Sequence, residues 1–219
     1  MTRQRLLRAV GACTALGALS MTLTLAEGAP AAPADTAVAA GRGPDVAIAG
    51  QRLNVVAGRR ALVRGRVAPA SAGSAVALQR RSGRRWHTID RARQADDGGF
   101  SFRFRPQQTG SAPVRVRAGA AREHVGRLNV YRRTQVSWYG PGLYGGHLGC
   151  GGTLSPQTLG VAHKTLPCGT RVTLRHGGRT VRVRVVDRGP FVGGREFDLT
   201  AATRARLGFS GVGTILVAH

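Results

Sequence analysis

Acidic residues are scarce in this sequence. Only 10 of 219 residues are Asp or Glu, against 33 Lys or Arg, and the formal charge is +23. Lysine is almost missing as well, Lys164 being the single one, so nearly all the positive charge is guanidinium. With so few carboxylates, each is either an arginine's salt-bridge partner or a group with chemistry to perform. Cysteine is limited to Cys13, Cys150 and Cys168. No Cys-x-x-Cys or His-x-x-x-His pair occurs, which removes the tight spacings of most structural zinc sites. Aromatics make up 5% of the chain.

The first residues indicate where the protein works. Arg3, Arg5 and Arg8 precede an uncharged apolar run from Ala9 to Ala26, and Ala32-Pro33-Ala34 offers small residues for cleavage before Asp35. This is the pattern of an export signal over residues 1–34, and it predicts a secreted or wall-associated protein with no stable membrane insertion once the leader is removed. Cys13 lies too close to Arg8, with most of the apolar run behind it, for a lipid-attachment box. Loss of three arginines and Glu27 with the leader leaves a charge of +21. Inside a cell such a cation would suggest nucleic acid. Outside the membrane the polyanions on offer are cell-wall polymers, so the expectation is no nucleic acid and a basic surface that either meets anionic wall polymers or is simply solvated.

Cys150 and Cys168 then form an even pair 18 positions apart. In an exported chain that spacing predicts one disulfide, worth roughly 3 kcal/mol for a loop of this size. A zinc site built from both cysteines with His163 and His147 is the competing reading, and it requires reduced thiols.

Residues 35–44 are small and Gly-rich and read as a linker. From 45 to 131 the chain carries seven short alternating runs, VAIAG, ALVRGRVAP, AVALQRR, WHTI, FSFRFRP, VRVRA and RLNVY. Phe100, Phe102 and Phe104 share one face, and Asp96-Asp97-Gly98-Gly99 before them supplies hairpin-turn chemistry. Seven short strands in under ninety residues predict an immunoglobulin-like β-sandwich, a spacer or wall-binding module with no nucleophile and base in partnership.

Over 132–219 the texture changes. A Gly-rich coil, GPGLYGGHLGCGGT, is followed by strands at 170–175 and 179–187 around His176-Gly177-Gly178, a short helix near 200–207 capped by Thr200 and stopped by Gly208, and a last strand in GTILVAH. Mostly β with one short helix suggests a small closed barrel. The ordered segments SWYG, AHKTLPCGT, VRVVDRGPF and REFDLTAATRARLGF resemble the rare lipoprotein A family, septal lytic transglycosylases whose double-psi β-barrel is related to expansins and barwin. The fold expected for the chain is therefore all-β, an immunoglobulin-like sandwich followed by a double-psi β-barrel with one short helix.

The resemblance implies cleavage of peptidoglycan glycan strands between N-acetylmuramate and N-acetylglucosamine, leaving an anhydro end, with no cofactor and no metal. The family's histidine falls on His163 and its aspartate on Asp187. Its glutamate, about eleven residues before the histidine, falls on Gly152. That departure keeps a second reading open, a non-catalytic expansin-like module that binds or loosens the wall. Glycoside hydrolysis ordinarily uses two carboxylates. A lytic transglycosylase uses the sugar's own C6 hydroxyl as nucleophile, so one carboxylate serving as acid and then base suffices. Strand parity places Asp187 with Val181, Val183 and Val185, away from Arg182, Arg184 and Arg188, at the barrel lip, where partial desolvation would favour a protonated acid. Tyr144, Tyr139 and Arg188 are the candidates for holding sugar, and Trp138 is expected in the core. Glu196 and Asp198 are expected to serve the helix start as dipole and cap partners.

Overall fold

A computed structural model describes residues 44–219. The expected leader, and the expected linker up to residue 43, lie outside the described residues. The rest is all-β apart from one helix. In chain order the strands are β1 (Asp45–Arg52), β2 (Asn54–Val56), β3 (Ala61–Ala68), β4 (Ala75–Ser82), β5 (Arg85–Arg93), β6 (Gly99–Phe104), β7 (Gly110–Ala118), β8 (Ala121–Tyr139), β9 (Val161–His163), β10 (Arg171–His176), β11 (Arg179–Asp187), β12 (Phe197–Thr200) and β13 (Gly213–Ala218), with α1 (Ala201–Leu207) between the last two.

Each of the seven alternating runs lies in a strand, because alternation places one side chain in two on an apolar face. In β3 the buried positions are Ala61, Val63, Gly65 and Val67, and in β6 they are Phe100 and Phe102. β1, β3 and β6 form one sheet, and β5, β4, β7 and the first half of β8 form another, with β2 added in parallel to β8. The two close on one core around Val63, Val76, Leu78, Phe102, Val114 and Val116, all essentially inaccessible. The Asp96–Gly99 turn forms as its residues require, with Gly98 at φ 75° and the Gly99 N–H bonded to Asp97 Oδ1 at 2.8 Å. It does not make a hairpin, however. β5 pairs with β4 and β6 with β3, so the turn carries the chain from one sheet to the other.

β8 is the organising element. Its first half pairs with β7 and β2, and its second half with β13 and β12. The strand passes from one core into the next without a break, and Tyr131, fully buried, marks the crossing. From β8 the pairing runs to β12, β9, β11, β10, β13 and back to β8, which closes a six-stranded barrel. Val136, Val161, Val172, Leu174, Val185, Phe197, Leu199 and Val217 fill it. Trp138 packs at the edge of this core, with the Arg204 guanidinium 4.1 Å from its ring centre. The helix has the predicted ends: Thr200 Oγ1 accepts from the Thr203 N–H, and Gly208 takes the left-handed conformation at φ 65°.

Candidate active site

Asp187 ends β11. Val183 and Val185 point into the barrel and Arg182 and Arg184 into solvent, as the alternation requires. Against β9 the register shifts between Val185 and Asp187, so two steps on β11 match one on β9. Such a bulge re-aims the next side chain. Asp187 is left half-buried at the end of the strand. Its Oδ1 accepts two backbone N–H bonds, from Gly149 at 2.7 Å and from Arg188 at 2.8 Å. Both fall on Oδ1 and neither on Oδ2.

Gly149 has to be glycine. A Cβ there would stand 2.8 Å from Arg188 Cγ and 3.1 Å from Asp187 Oδ1. The loop that carries it is fastened to the end of β11 by the Cys150 N–H, which donates to the Val186 carbonyl at 3.2 Å, and by the Cys150–Cys168 disulfide, with Cα atoms 5.5 Å apart. The expected bond is therefore present, and it takes both sulfurs out of the ligand set that the zinc reading needs. Reduction should cost roughly 3 kcal/mol and raise amide exchange over residues 140–153. Unchanged melting and exchange in reductant would show that the backbone contacts hold the loop by themselves.

Tyr139 closes β8 beside Asp187. Its hydroxyl is buried and, among the described residues, has no hydrogen-bond partner. Burial first, then the Asp187 carboxylate, by its charge and as an acceptor close to the hydroxyl though outside strict hydrogen-bond geometry, and last the charge of Asp198, push the phenol far above its ordinary range, so it stays protonated. Tyr144 and Leu143 are exposed on the Gly149 loop, and Phe191 and Val192 on the segment after Asp187, with Phe191 84% exposed. Phe191 ends the DRGPF motif but is not among the sugar candidates named from the sequence, Tyr144, Tyr139 and Arg188.

Arg188 is not free to take sugar with its whole fork. Its Nη1 donates to the carbonyls of His163 and Leu166 at 3.1 and 2.8 Å, and its Nη2 lies 2.8 Å from Cys168 Sγ. The guanidinium thus ties the segment after β9 to Asp187. His163 is held on its other side. Nδ1 accepts the N–H groups of Thr165 and Leu166 at 3.1 and 3.0 Å, which leaves the proton of the neutral ring on Nε2, 3.5 Å from Glu196 Oε1. The ring packs on Phe197, 4.7 Å between centres. Its nitrogens are thereby engaged with Thr165, Leu166 and Glu196, not with Asp187.

Glu196 and Asp198 do not serve the helix start: the first turn of α1 holds no acid. Glu196 lies before β12 and receives both terminal nitrogens of Arg132, with His219 Nε2 4.0 Å away. Asp198 accepts the Ser137 hydroxyl across the β12–β8 pairing. Around His163 and Glu196 opens a cleft of about 480 Å³, bordered by Gln135, Lys164 and Arg195. Gly152, where the family's glutamate would stand, is exposed with φ 83° and no heavy atom within 4 Å of a built Cβ. Space exists for a longer side chain there, but the backbone conformation favours glycine.

Glu196 and the two histidines beside it influence one another's protonation. Burial lowers the pKa of His163 and of His219 from 6.5, with Arg132 adding to it in both and Glu196 opposing. The hydrogen bond from Arg132 lowers that of Glu196 from 4.5. Histidines with a depressed folded pKa take up protons more readily unfolded, so their contribution is complete above about pH 6.5 and is lost as pH falls through the folded pKa values. Glu196 adds a second loss below about 4.5. Melting temperature should therefore decline from pH 7 to pH 5, and a His163→Gln/His219→Gln protein should show a flatter profile over that window. A profile equally steep in the double variant would assign the decline elsewhere.

Residues 132–219 match the family model described as lytic transglycolase. Curated relatives agree. A Synechocystis protein named "Probable endolytic peptidoglycan transglycosylase RlpA" is 46% identical over 84 residues, covering 36% of this chain and 26% of that protein. The "Endolytic peptidoglycan transglycosylase RlpA" of Campylobacter jejuni is 44% identical over 81 residues, 36% of this chain and 30% of its own. That of Neisseria meningitidis serogroup A is 35% identical over 131 residues, 52% and 55%. The chain thus spans between about a quarter and just over half of the length of these relatives. Taken with the closed six-stranded ring, the capped helix and the Asp187 turn, these matches make residues 132–219 an RlpA-like double-psi β-barrel domain.

Proposed function

We propose that this is an exported, peptidoglycan-active protein that cuts glycan strands by lytic transglycosylation, with Asp187 as its acid and base. The observation that carries the reading is the setting of Asp187: Oδ1 is fixed by two backbone N–H donors, Oδ2 takes neither of them, and a protonated Tyr139 stands alongside. The reaction asks one carboxyl to give a proton to the leaving O4 as the C1–O4 bond breaks. The same group then takes the proton of the C6 hydroxyl as C6–O attacks C1. The substrate supplies its own nucleophile, so the glutamate missing at Gly152 is not needed to activate water. Tyr139, Tyr144 and Phe191 supply a hydroxyl and aromatic faces to the sugars. His163 and Arg188 act as positioning residues, holding the segment 163–168 against Asp187.

The N-terminal half, read as an immunoglobulin-like sandwich, keeps the barrel at the wall. Its basic surface meets anionic wall polymers, and no role for nucleic acid or for stable membrane insertion is included. Gly152 favours one alternative, an expansin-like module that binds or loosens the wall without cutting it. Digestion of purified peptidoglycan separates the two: anhydromuramyl ends detected by mass spectrometry support the enzyme, and wall binding without such ends supports the loosening module.

A further inference from the structure

Two clefts on the N-terminal half adjoin at Arg52 and Asn54 and are taken together as one groove. The first, about 470 Å³, is lined with Arg52, Arg59, Arg60 and Arg105. The second, about 580 Å³, adds Arg127 and, from the barrel strand β10, Arg175. No Asp or Glu lines either. Another arginine-lined cleft of the same half differs. The cleft beside Arg64, Arg93 and Arg103 contains Asp97, which pairs with Arg66 at 2.7 Å.

The arginine character continues past the groove. Arg127 is repelled by Arg171, and Arg182 by Arg127, Arg171 and Arg184, effects that add to burial in lowering their pKa values. Like charges have thus been gathered at the junction of the two cores, against their mutual repulsion and without a neutralising carboxylate. The floor beneath them is hydrogen-bonded. Asn129 Nδ2 and the Tyr131 hydroxyl donate to Asn54 Oδ1 at 2.8 and 3.0 Å, Ser111 Oγ donates to Asn129 Oδ1, and Arg127 donates to the Ser111 carbonyl at 2.9 Å.

We propose that this groove binds a linear polyol-phosphate chain, a polymer with one phosphodiester charge per repeat. Guanidinium forks match phosphate oxygens in pairs, and several forks along a continuous groove suit a chain of repeated charges better than a single ion. The lining gives single-stranded bases no platform. It holds Arg, Asn, Gln, Val, Leu and Gly but no aromatic side chain on which a base could stack.

The test is direct binding of a fluorescently labelled glycerol-phosphate oligomer to the full chain across a salt series, with oligothymidylate of matched charge as competitor. Arg52 and Arg105 are exposed, so an Arg52→Gln/Arg105→Gln protein should fold normally, to be verified by its melting temperature. An Arg84→Gln/Arg91→Gln protein, equally exposed and outside the groove, controls for net charge. The groove variant should bind about tenfold more weakly in moderate salt, and the slope of log affinity against log salt should flatten by about 1.5, as expected for two lost phosphate contacts. The control should stay within about twofold of the parent. Equal weakening in the two variants would reduce the effect to net charge and overturn the site. Tighter binding of oligothymidylate than of the glycerol-phosphate oligomer would overturn the ligand. Neither outcome depends on glycan cleavage.

Discussion

Asp187→Asn is expected to lower the release of anhydromuropeptides by roughly 10²- to 10⁴-fold while wall binding stays near the parental level. The substitution is chosen for what it preserves. An amide oxygen at the Oδ1 position still accepts the N–H groups of Gly149 and Arg188, so the loop and the turn keep their anchor. What is lost is the proton that has to be given to the leaving oxygen and recovered from the C6 hydroxyl. His163→Ala should give a smaller loss, because its ring nitrogens serve the turn at Thr165 and Leu166 and the Glu196 carboxylate rather than the reacting bond. The assay measures anhydro ends by mass spectrometry alongside thermal melting. If the Asp187→Asn protein cuts at the parental rate and is merely less stable, Asp187 belongs to the turn and not to the chemistry.

Phe197→Ala is expected to cost about 3–5 kcal/mol, the range for emptying a buried aromatic site. Phe197 is fully buried, lies opposite both Val136 and His163 in the strand pairings, and packs on the His163 and His219 rings with centres 4.7 and 5.9 Å away. The cavity would open where three strands meet and where both histidines are held in place. Denaturant titration measures the loss, and Phe197→Leu, which keeps most of the apolar volume, should lose much less. A cost below about 1 kcal/mol for the alanine variant would mean that the barrel collapses onto the vacancy and that Phe197 is not a keystone.

Much of the architecture could be read in advance because its causes are local. The valine and arginine alternation of β11, the Thr200 cap and the Gly208 stop are decided within a few residues of themselves, and the structure has them where the sequence puts them. The disulfide followed from counting. The electrostatic centre around Glu196 could not be found that way. Its partners Arg132 and His219 lie 64 and 23 positions off, and only closure of the barrel brings β8, β9 and β13 to it. Reading Glu196 as a helix partner was reasonable by proximity, and it failed because the acid sits on the far side of β12 from α1. The bulge before Asp187 was hidden for a related reason: it is a relation between two strands, and β11 alone does not disclose it.

The uninterrupted β8 has a mechanical consequence. Nineteen residues at about 3.3 Å each give β8 a contour of roughly 60 Å that belongs to both halves, so they are joined at Tyr131 through continuous strand and not through a loop. If a wall polymer is gripped by the arginines of the first half, the second half is presented to its glycan at a fixed reach and angle. The protein then behaves as a gauge, cutting strands that lie at one set distance from its handhold and sparing those nearer or farther.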